Sequence, residues 1–78
     1  AMDDEAARAN RFYMAHRSVD AINTAEMALR APDLDPVWAA SLRFLIARAS
    51  WQQGDRGRAE QILREMIASP YDPLRWSA

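Results

Sequence analysis

Three groups of residues in this sequence have side-chain types and spacings that are relevant to metal binding, catalysis or anion binding. In the first, His16 and Asp20 are four residues apart, a spacing at which one helix can present two metal ligands, and Ser18 between them carries a hydroxyl. A metal site needs a third ligand, and Ser18 is too near His16 in sequence to be activated by it. We therefore expect no metal site and no hydrolytic centre, and we interpret His16 as a hydrogen-bonded turn residue.

The second group is the glycine pair Gly54 and Gly57, and the third is the arginine group Arg56, Arg58 and Arg64. A phosphate-binding loop needs a longer glycine-rich run that follows a strand, whereas this pair follows a helical pattern. Acidic residues interrupt the arginines, which favours a solvated helix face over a site for an acidic partner. No carboxylate pair lies in an apolar setting that would separate two pKa values. The sequence therefore predicts that the protein is not an enzyme and has no cofactor.

Composition narrows the class further. The chain has 78 residues, half of them apolar, and a net charge of −1, and it has no cysteine, so we expect one small domain without disulfides. Its charge lacks the basic excess of a nucleic-acid binder, and no apolar run approaches the ~20 residues that cross a bilayer. We expect a soluble chain without nucleic-acid binding or direct membrane insertion. An alanine-rich composition with arginine as its only strong base suggests part of a larger bacterial protein, with Ala1-Met2 as a possible cloning remnant.

Helical periodicity predicts the elements that position these residues, at about 3–16, 19–30, 36–53 and 56–68, with a short C-terminal segment at 73–78. His16 in left-handed geometry and Ser18 as N-cap would separate the first two helices, and one unbroken helix over 3–30 is the alternative. Asp35 before Pro36 predicts the start of the third helix. Gly54 and Asp55 predict its end and the cap of the fourth.

The apolar residues of these helices form stripes at helical spacing. The third helix carries two of them, so we expect it to be the central helix, with neighbours on both sides or with an apolar face kept for a partner. The stripes are, in chain order, Ala6, Ala9, Phe12 and Tyr13; Val19, Ile22, Ala25 and Leu29; Trp38, Leu42, Leu45, Ile46 and Ala49; Val37, Ala40, Phe44, Ala47 and Trp51; and Ala59, Ile62, Leu63, Met66 and Ile67.

A shift of 38 residues aligns the sequence with itself, pairing Ala21 with Ala59 and Pro32 with Pro70. Each unit resembles a degenerate tetratricopeptide repeat, on the residues Ala21-Ile22, Ala28-Leu29 and Pro32 in the first unit and Gly54-Asp55, Ala59, Leu63, Met66-Ile67 and Pro70 in the second. The resemblance implies an all-α fold of antiparallel helical hairpins stacked as a short α-solenoid. It divides the single domain 1–78 into hairpins at about 3–31 and 36–69 and a partial third unit at 73–78.

The resemblance also implies a groove lined by the first helix of each hairpin, at Asn10, Tyr13, Met14, Ser41, Phe44, Arg48, Trp51 and Gln52. Independently of it, Phe44, Arg48 and Trp51 lie on one helical face and combine apolar area with a planar donor, which is the chemistry of interface hot spots. Packing of Phe44 and Trp51 on a neighbouring hairpin is the alternative.

We therefore predict a non-enzymatic scaffolding module that binds a protein or peptide in this groove. Because isolated repeat units leave apolar surface uncovered, we also expect self-association or neighbouring repeats in a longer chain. The competing hypothesis is a small helical bundle that forms homodimers and has no peptide groove. It depends on an unbroken first helix over 3–30.

Overall fold

The structure is a computed structural model that describes the backbone of residues 2–68 and the side-chain surroundings of residues 4–68. This part of the chain consists of four helices and contains no strand, so the all-α prediction is confirmed. The predicted segment at 73–78 lies outside the described residues. The helices are α1 (Met2–Met14), α2 (Ser18–Ala28), α3 (Pro36–Gln52) and α4 (Arg56–Ala68).

The start of α3 is set by Asp35 and Pro36, as predicted. Asp35 has extended backbone angles (φ −60°, ψ 133°), and its Oδ1 accepts a hydrogen bond from the Val37 backbone nitrogen at 2.8 Å. Pro36 occupies the first turn, where its missing N–H would have had no partner within the helix. At the start of α4, the Asp55 carboxylate accepts a hydrogen bond from the Arg58 backbone nitrogen, so the second predicted aspartate cap is also confirmed.

The turns that end α1 and α3 both use a residue with left-handed backbone geometry. His16 has φ 60° and Gly54 has φ 92°, as the sequence predicted. In each turn, the nitrogens of the left-handed residue and of the next residue bond back to carbonyls of the last helical turn. Histidine carries a Cβ, so its left-handed conformation is costlier than that of glycine. The chain is nevertheless broken at this turn, which rules out one continuous helix over 3–30.

The two turns share one hydrogen-bond pattern at positions 38 residues apart. The Arg17 nitrogen bonds to the Phe12 carbonyl at 2.9 Å, and the Asp55 nitrogen bonds to the Ser50 carbonyl at 2.8 Å. Three further pairs of backbone N–H to carbonyl bonds correspond in the same way. The bond from Ala15 to Arg11 matches that from Gln53 to Ala49, and the bond from His16 to Tyr13 matches that from Gly54 to Trp51. The bond from Ala21 to Arg17 matches that from Ala59 to Asp55. The sequence shift therefore coincides with a repeat in backbone geometry.

We expect Gly54→Ala to lower the free energy of unfolding by about 1–2 kcal/mol, because alanine resists a left-handed conformation. No atom lies within 4 Å of the position of an added Cβ, so the loss reports backbone strain alone. Gly57→Ala is the matched control, since Gly57 lies within α4 and also has open space around its Cβ position. There alanine should leave stability unchanged or raise it by up to about 1 kcal/mol. Urea denaturation distinguishes the two, and equal losses would contradict the assignment.

Two details of the first turn differ from the prediction. α1 ends at Met14 rather than at residue 16, and Ser18 is the first residue of α2 rather than its N-cap. The N-cap position is held by Arg17, whose side chain makes no capping hydrogen bond. The Ser18 hydroxyl instead donates to Oε1 of Gln52 at 2.6 Å. Ser18 does not cap α2 because it lies one residue inside the helix, and its hydroxyl hydrogen is bonded to a residue 34 positions away.

The core lies where α1, α2 and α3 meet. α2 packs against both α1 and α3, α1 also packs against α3, and α4 packs on α3. Alanines supply much of the core, and their small side chains allow the helices to approach closely. The buried residues of this cluster are Ala9, Ala21, Ile22, Ala25, Ala28, Leu42, Leu45, Ile46 and Ala49.

Six residues assigned to the apolar stripes are exposed: Val37, Phe44 and Trp51 of the second stripe of α3, and Val19, Trp38 and Ile67 of the other stripes. Val19 and Ile67 lie at the angular edges of their stripes, whereas Trp38 is the first residue of its stripe and lies in the first turn of α3. α4 shows the effect most clearly, because it packs mainly on α3. Ala59 and Met66 are buried there, whereas Leu63 is half-buried and Ile67 faces solvent. None of the helices in the described range has the length and apolarity to span a membrane.

Candidate functional site

The packing of α1 against α3 brings most of the predicted groove residues onto one surface. We define the α1–α3 face by the side chains that α1 and α3 present beside each other. Met14 on α1 is 69% exposed, and Val37, Phe44 and Trp51 on α3 are 61%, 38% and 53% exposed. The full set is Asn10, Tyr13, Met14, Val37, Ser41, Phe44, Arg48 and Trp51, in which only Tyr13 is half-buried.

Val37, Phe44 and Trp51 recur every seven residues, so they form a line along α3. Between them, Ala40 and Ala47 belong to the same sequence stripe but are buried. The stripe therefore divides lengthwise, with its alanines inside the fold and its large side chains at the surface. A line of large apolar side chains facing solvent is unusual for a small soluble domain and is typical of an interaction surface.

Arg48 joins the two helices of this face. Its guanidinium carbon lies 4.8 Å from the ring centroid of Tyr13 on α1 and 5.0 Å from that of Phe44 on α3. Each cation–π contact at an exposed site is worth about 0.5–1 kcal/mol. Among the described residues, the Arg48 guanidinium makes no hydrogen bond beside these contacts, so its N–H groups can still donate to a partner.

Trp51 makes a second contact of the same kind at the end of the face. The guanidinium carbon of Arg56, the first residue of α4, lies 5.0 Å from the Trp51 ring centroid. From sequence alone, Arg56 is predicted to be a solvated arginine and not part of the groove. The indication of this contact in the sequence is that Arg56 and Trp51 lie close to each other on either side of Gly54. The left-handed turn at Gly54 brings the two side chains together.

Gln52, also predicted to line the groove, makes its contacts inside the molecule. Its Oε1 accepts the hydroxyl of Ser18, and its Nε2 lies 3.4 Å from the Tyr13 carbonyl and 3.1 Å from Nδ1 of His16. Gln52 therefore links the end of α3 to the turn between α1 and α2. A half-buried amide satisfied in this way has little capacity left for a partner.

The arrangement around His16 does not assemble a reactive pair. Ser18 donates to the amide of Gln52 rather than to His16, and Asp20 forms an ion pair with Arg17 at 2.6 Å. Across residues 4–68, no three His, Cys, Asp or Glu side chains are grouped closely enough to hold a metal ion. A depression of about 450 Å³ at this turn is lined mostly by charged and amide side chains. It is open to solvent and does not enclose a ligand as small-molecule sites do.

The other arginines of α4 are engaged with carboxylates. Arg58 forms an ion pair with Glu26 of α2, and Arg64 lies 3.9 Å from Glu60, one turn earlier on α4. Arg48 and Arg56, in contrast, contact aromatic rings and have no carboxylate partner among the described side chains. The described arginines therefore differ in their partners. Arg48 lies on the α1–α3 face and Arg56 lies beside it, and both contact aromatic rings instead of carboxylates.

Comparison with known proteins found no family model that matches this chain, no curated protein similar to it in sequence and no solved structure similar to it in fold.

Proposed function

We propose that this chain is a non-enzymatic interaction module that binds a peptide or a helix of a partner protein on the α1–α3 face. The exposure of that face is the observation that carries the proposal. Large apolar side chains on α3 point to solvent while the same helix buries its alanines and its leucines. Covering about 100 Å² of such apolar surface contributes roughly 2.5 kcal/mol, so a partner has a substantial driving force for binding here.

The fold that presents this face is, in the same proposal, a short stack of helical hairpins similar to tetratricopeptide repeats. α1 packs on α2 and α3, whereas α4 has only weak contact with α1. In a closed up-and-down four-helix bundle the first and last helices are neighbours. The shared hydrogen-bond pattern of the turns at His16 and Gly54 supports a second hairpin that repeats the first.

The homodimerisation bundle is less well supported. It depends on an unbroken helix over 3–30, and the turn at His16 contradicts that helix. A second copy of the chain can still occupy the exposed face, so self-association stays a prediction. The non-enzymatic part of the proposal stays a prediction; Ser18 and Asp20 bond to Gln52 and Arg17, so neither forms a catalytic pair with His16.

Trp51→Ala is expected to weaken binding of a peptide ligand about tenfold while changing the melting temperature little, because Trp51 lies at the surface. Ligands would be selected from a displayed library of random peptides on the immobilised chain, and affinities would be measured by fluorescence anisotropy. Met27→Ala is the matched control: it also removes a large exposed apolar side chain, but from α2.

Binding that falls equally with Met27→Ala would contradict a site on the α1–α3 face. So would a large loss of melting temperature in Trp51→Ala with unchanged affinity, since Trp51 would then be part of the core. Recovery of no peptide at all would count against the whole proposal.

A further inference from the structure

We infer that the partner segment is acidic, and that Arg48 and Arg56 bind its side-chain carboxylates while its apolar residues cover Phe44 and Trp51. This inference rests on the proposed function and specifies the chemistry of the ligand. The α1–α3 face contains Arg48, borders Arg56, and includes no aspartate or glutamate in the set defined above. Asp35 and Asp55 lie at the two ends of α3, where their carboxylates accept hydrogen bonds from the Val37 and Arg58 backbone nitrogens, so Arg48 is the charged side chain within the face itself.

The contrast among the arginines shows why these two are suited to binding. Arg17, Arg58 and Arg64 each have a carboxylate within ion-pair distance. Arg48 and Arg56 have none among residues 4–68, a property that they share with Arg8, Arg11, Arg30 and Arg43. Arg48 and Arg56 differ from those four in that their guanidinium groups contact aromatic rings of the α1–α3 face. A partner's carboxylate can therefore bind without first displacing an internal one.

The aromatic contacts also prepare the guanidinium groups for a carboxylate. The guanidinium carbon of Arg48 lies about 5 Å from the ring centroids of both Tyr13 and Phe44, which restricts the positions that this group can take. A planar guanidinium can donate two parallel hydrogen bonds to one carboxylate, and ordering it beforehand reduces the entropy lost on binding. Surrounding apolar area excludes water once a partner is seated, which strengthens the charge-assisted bonds.

The positions of the two arginines set the spacing of the ligand's charges. Trp51, which Arg56 covers, follows Arg48 by three residues, a rise of about 4.5 Å along α3. Carboxylates one turn apart on a partner helix, at i and i+4, have a similar rise of about 6 Å. An apolar residue on the same side of that helix would lie over Phe44 and Trp51. We therefore expect an amphipathic segment with at least two acidic residues one turn apart.

The random-peptide selection described for Trp51→Ala also tests this inference. Each displayed peptide is fused to its carrier protein through its C terminus, so it has no free terminal carboxylate and only its side chains can supply carboxylates. Selection on the unmodified protein should enrich aspartate and glutamate next to large apolar residues. For one selected peptide, made with an amidated C terminus, Arg48→Gln and Arg56→Gln should each weaken binding about tenfold. Arg43→Gln is the matched control, because Arg43 is exposed on α3 in the depression between α2 and α4.

In a second set of measurements, the acidic residues of the peptide are replaced with glutamine, and the affinities of the two peptides are compared. The unmodified protein should bind the glutamine peptide about tenfold more weakly, whereas Arg48→Gln should distinguish the two peptides less than threefold. Arg48→Lys retains the charge but loses the planar fork, so intermediate affinity is expected. Unchanged melting temperatures in all the variants would show that the losses concern binding.

Three results would overturn the inference. Selected peptides that need Trp51 but carry no acidic enrichment would leave the proposed function intact and contradict the acidic ligand. Equal losses with Arg43→Gln would show a general charge effect. Binding that appears only with a free peptide C terminus would assign the ligand to a terminal carboxylate. Peptides that bind without needing Trp51 would contradict both proposals together.

Discussion

Replacing Leu42 with alanine is expected to lower the free energy of unfolding by about 2–5 kcal/mol. Leu42 is 2% exposed and belongs to the cluster that joins α1, α2 and α3. Its other members include alanines such as Ala21 and Ala49, whose side chains are too short to fill the cavity left behind. A chain of this length has a stability of roughly 4–12 kcal/mol, so the variant loses a large fraction of it.

Urea denaturation followed by far-ultraviolet circular dichroism would measure the loss in Leu42→Ala. Val37→Ala provides the control, because it also shortens an aliphatic side chain of α3 but at an exposed position. Its expected effect is within about 0.5 kcal/mol. Similar losses at the two positions would show that α3 does not pack by its Leu42 side, and the described core would be wrong.

Gln52→Ala is expected to cost about 1–3 kcal/mol, because it leaves the Ser18 hydroxyl without an acceptor in a buried position. The substitution also removes the amide group beside the Tyr13 carbonyl and the His16 ring. Gln53→Ala is a closely matched control: Gln53 is the adjacent residue, has the same side chain and is exposed. Thermal and urea denaturation should therefore show a loss at position 52 and little change at position 53.

A double-mutant cycle with Ser18→Ala isolates the contact that joins the two hairpins. If the Ser18–Gln52 hydrogen bond forms, the two substitutions together should cost less than the sum of their separate effects, by about 0.5–1.5 kcal/mol. Strict additivity would mean that the two residues do not interact, and the contacts of the Gln52 amide nitrogen with the Tyr13 carbonyl and His16 would then account for the effect of Gln52→Ala.

The stability and binding predictions concern separate sets of residues. Leu42 is buried and Gln52 is half-buried with its amide engaged, whereas Phe44, Arg48 and Trp51 have exposed side chains. α3 carries both sets on different sides, so one helix serves as the structural centre and as the proposed binding surface. Variants at Arg48 and Trp51 can therefore test binding in a protein that remains folded.

The helix ends were predictable where one residue type decides the local geometry. Asp35 caps α3 and Gly54 ends it, as the sequence analysis expected, because capping and left-handed geometry involve groups within a few residues along the chain. Ser18 was assigned wrongly by the same reasoning. The helix begins at Ser18 itself rather than after it, and the Ser18 hydroxyl donates to the Gln52 amide, which the local sequence does not reveal.

The apolar stripes were predictable in direction but not in width. Leu42, Leu45, Ile46 and Ala49 are buried as the third-helix pattern indicated. Trp38 in the same stripe is exposed, as are Val19 and Ile67 at the margins of theirs. Periodicity shows which side of a helix is apolar, whereas the number and angle of neighbouring helices decide how much of that side is covered.

Tertiary packing also decides the partners of the closely spaced polar residues around His16. His16, Ser18 and Asp20 stand close together along the chain, yet their polar atoms contact Gln52 and Arg17 rather than one another. On the α1–α3 face, the stacking of Phe44 with Arg48 follows from their spacing of one turn on α3. The participation of Tyr13 depends on how α1 lies against α3.

By itself, the sequence determined that the chain is helical, where three of its turns lie and which side of α3 enters the core. Proline, glycine, aspartate and apolar periodicity act over short stretches, so their effects can be read locally. Only the tertiary structure decided that Gln52 serves the fold, and that Arg48 and Arg56 stack on aromatic rings without a carboxylate. Those outcomes depend on contacts between helices, including partners 34 to 39 residues away from Gln52, and on the angle of each turn.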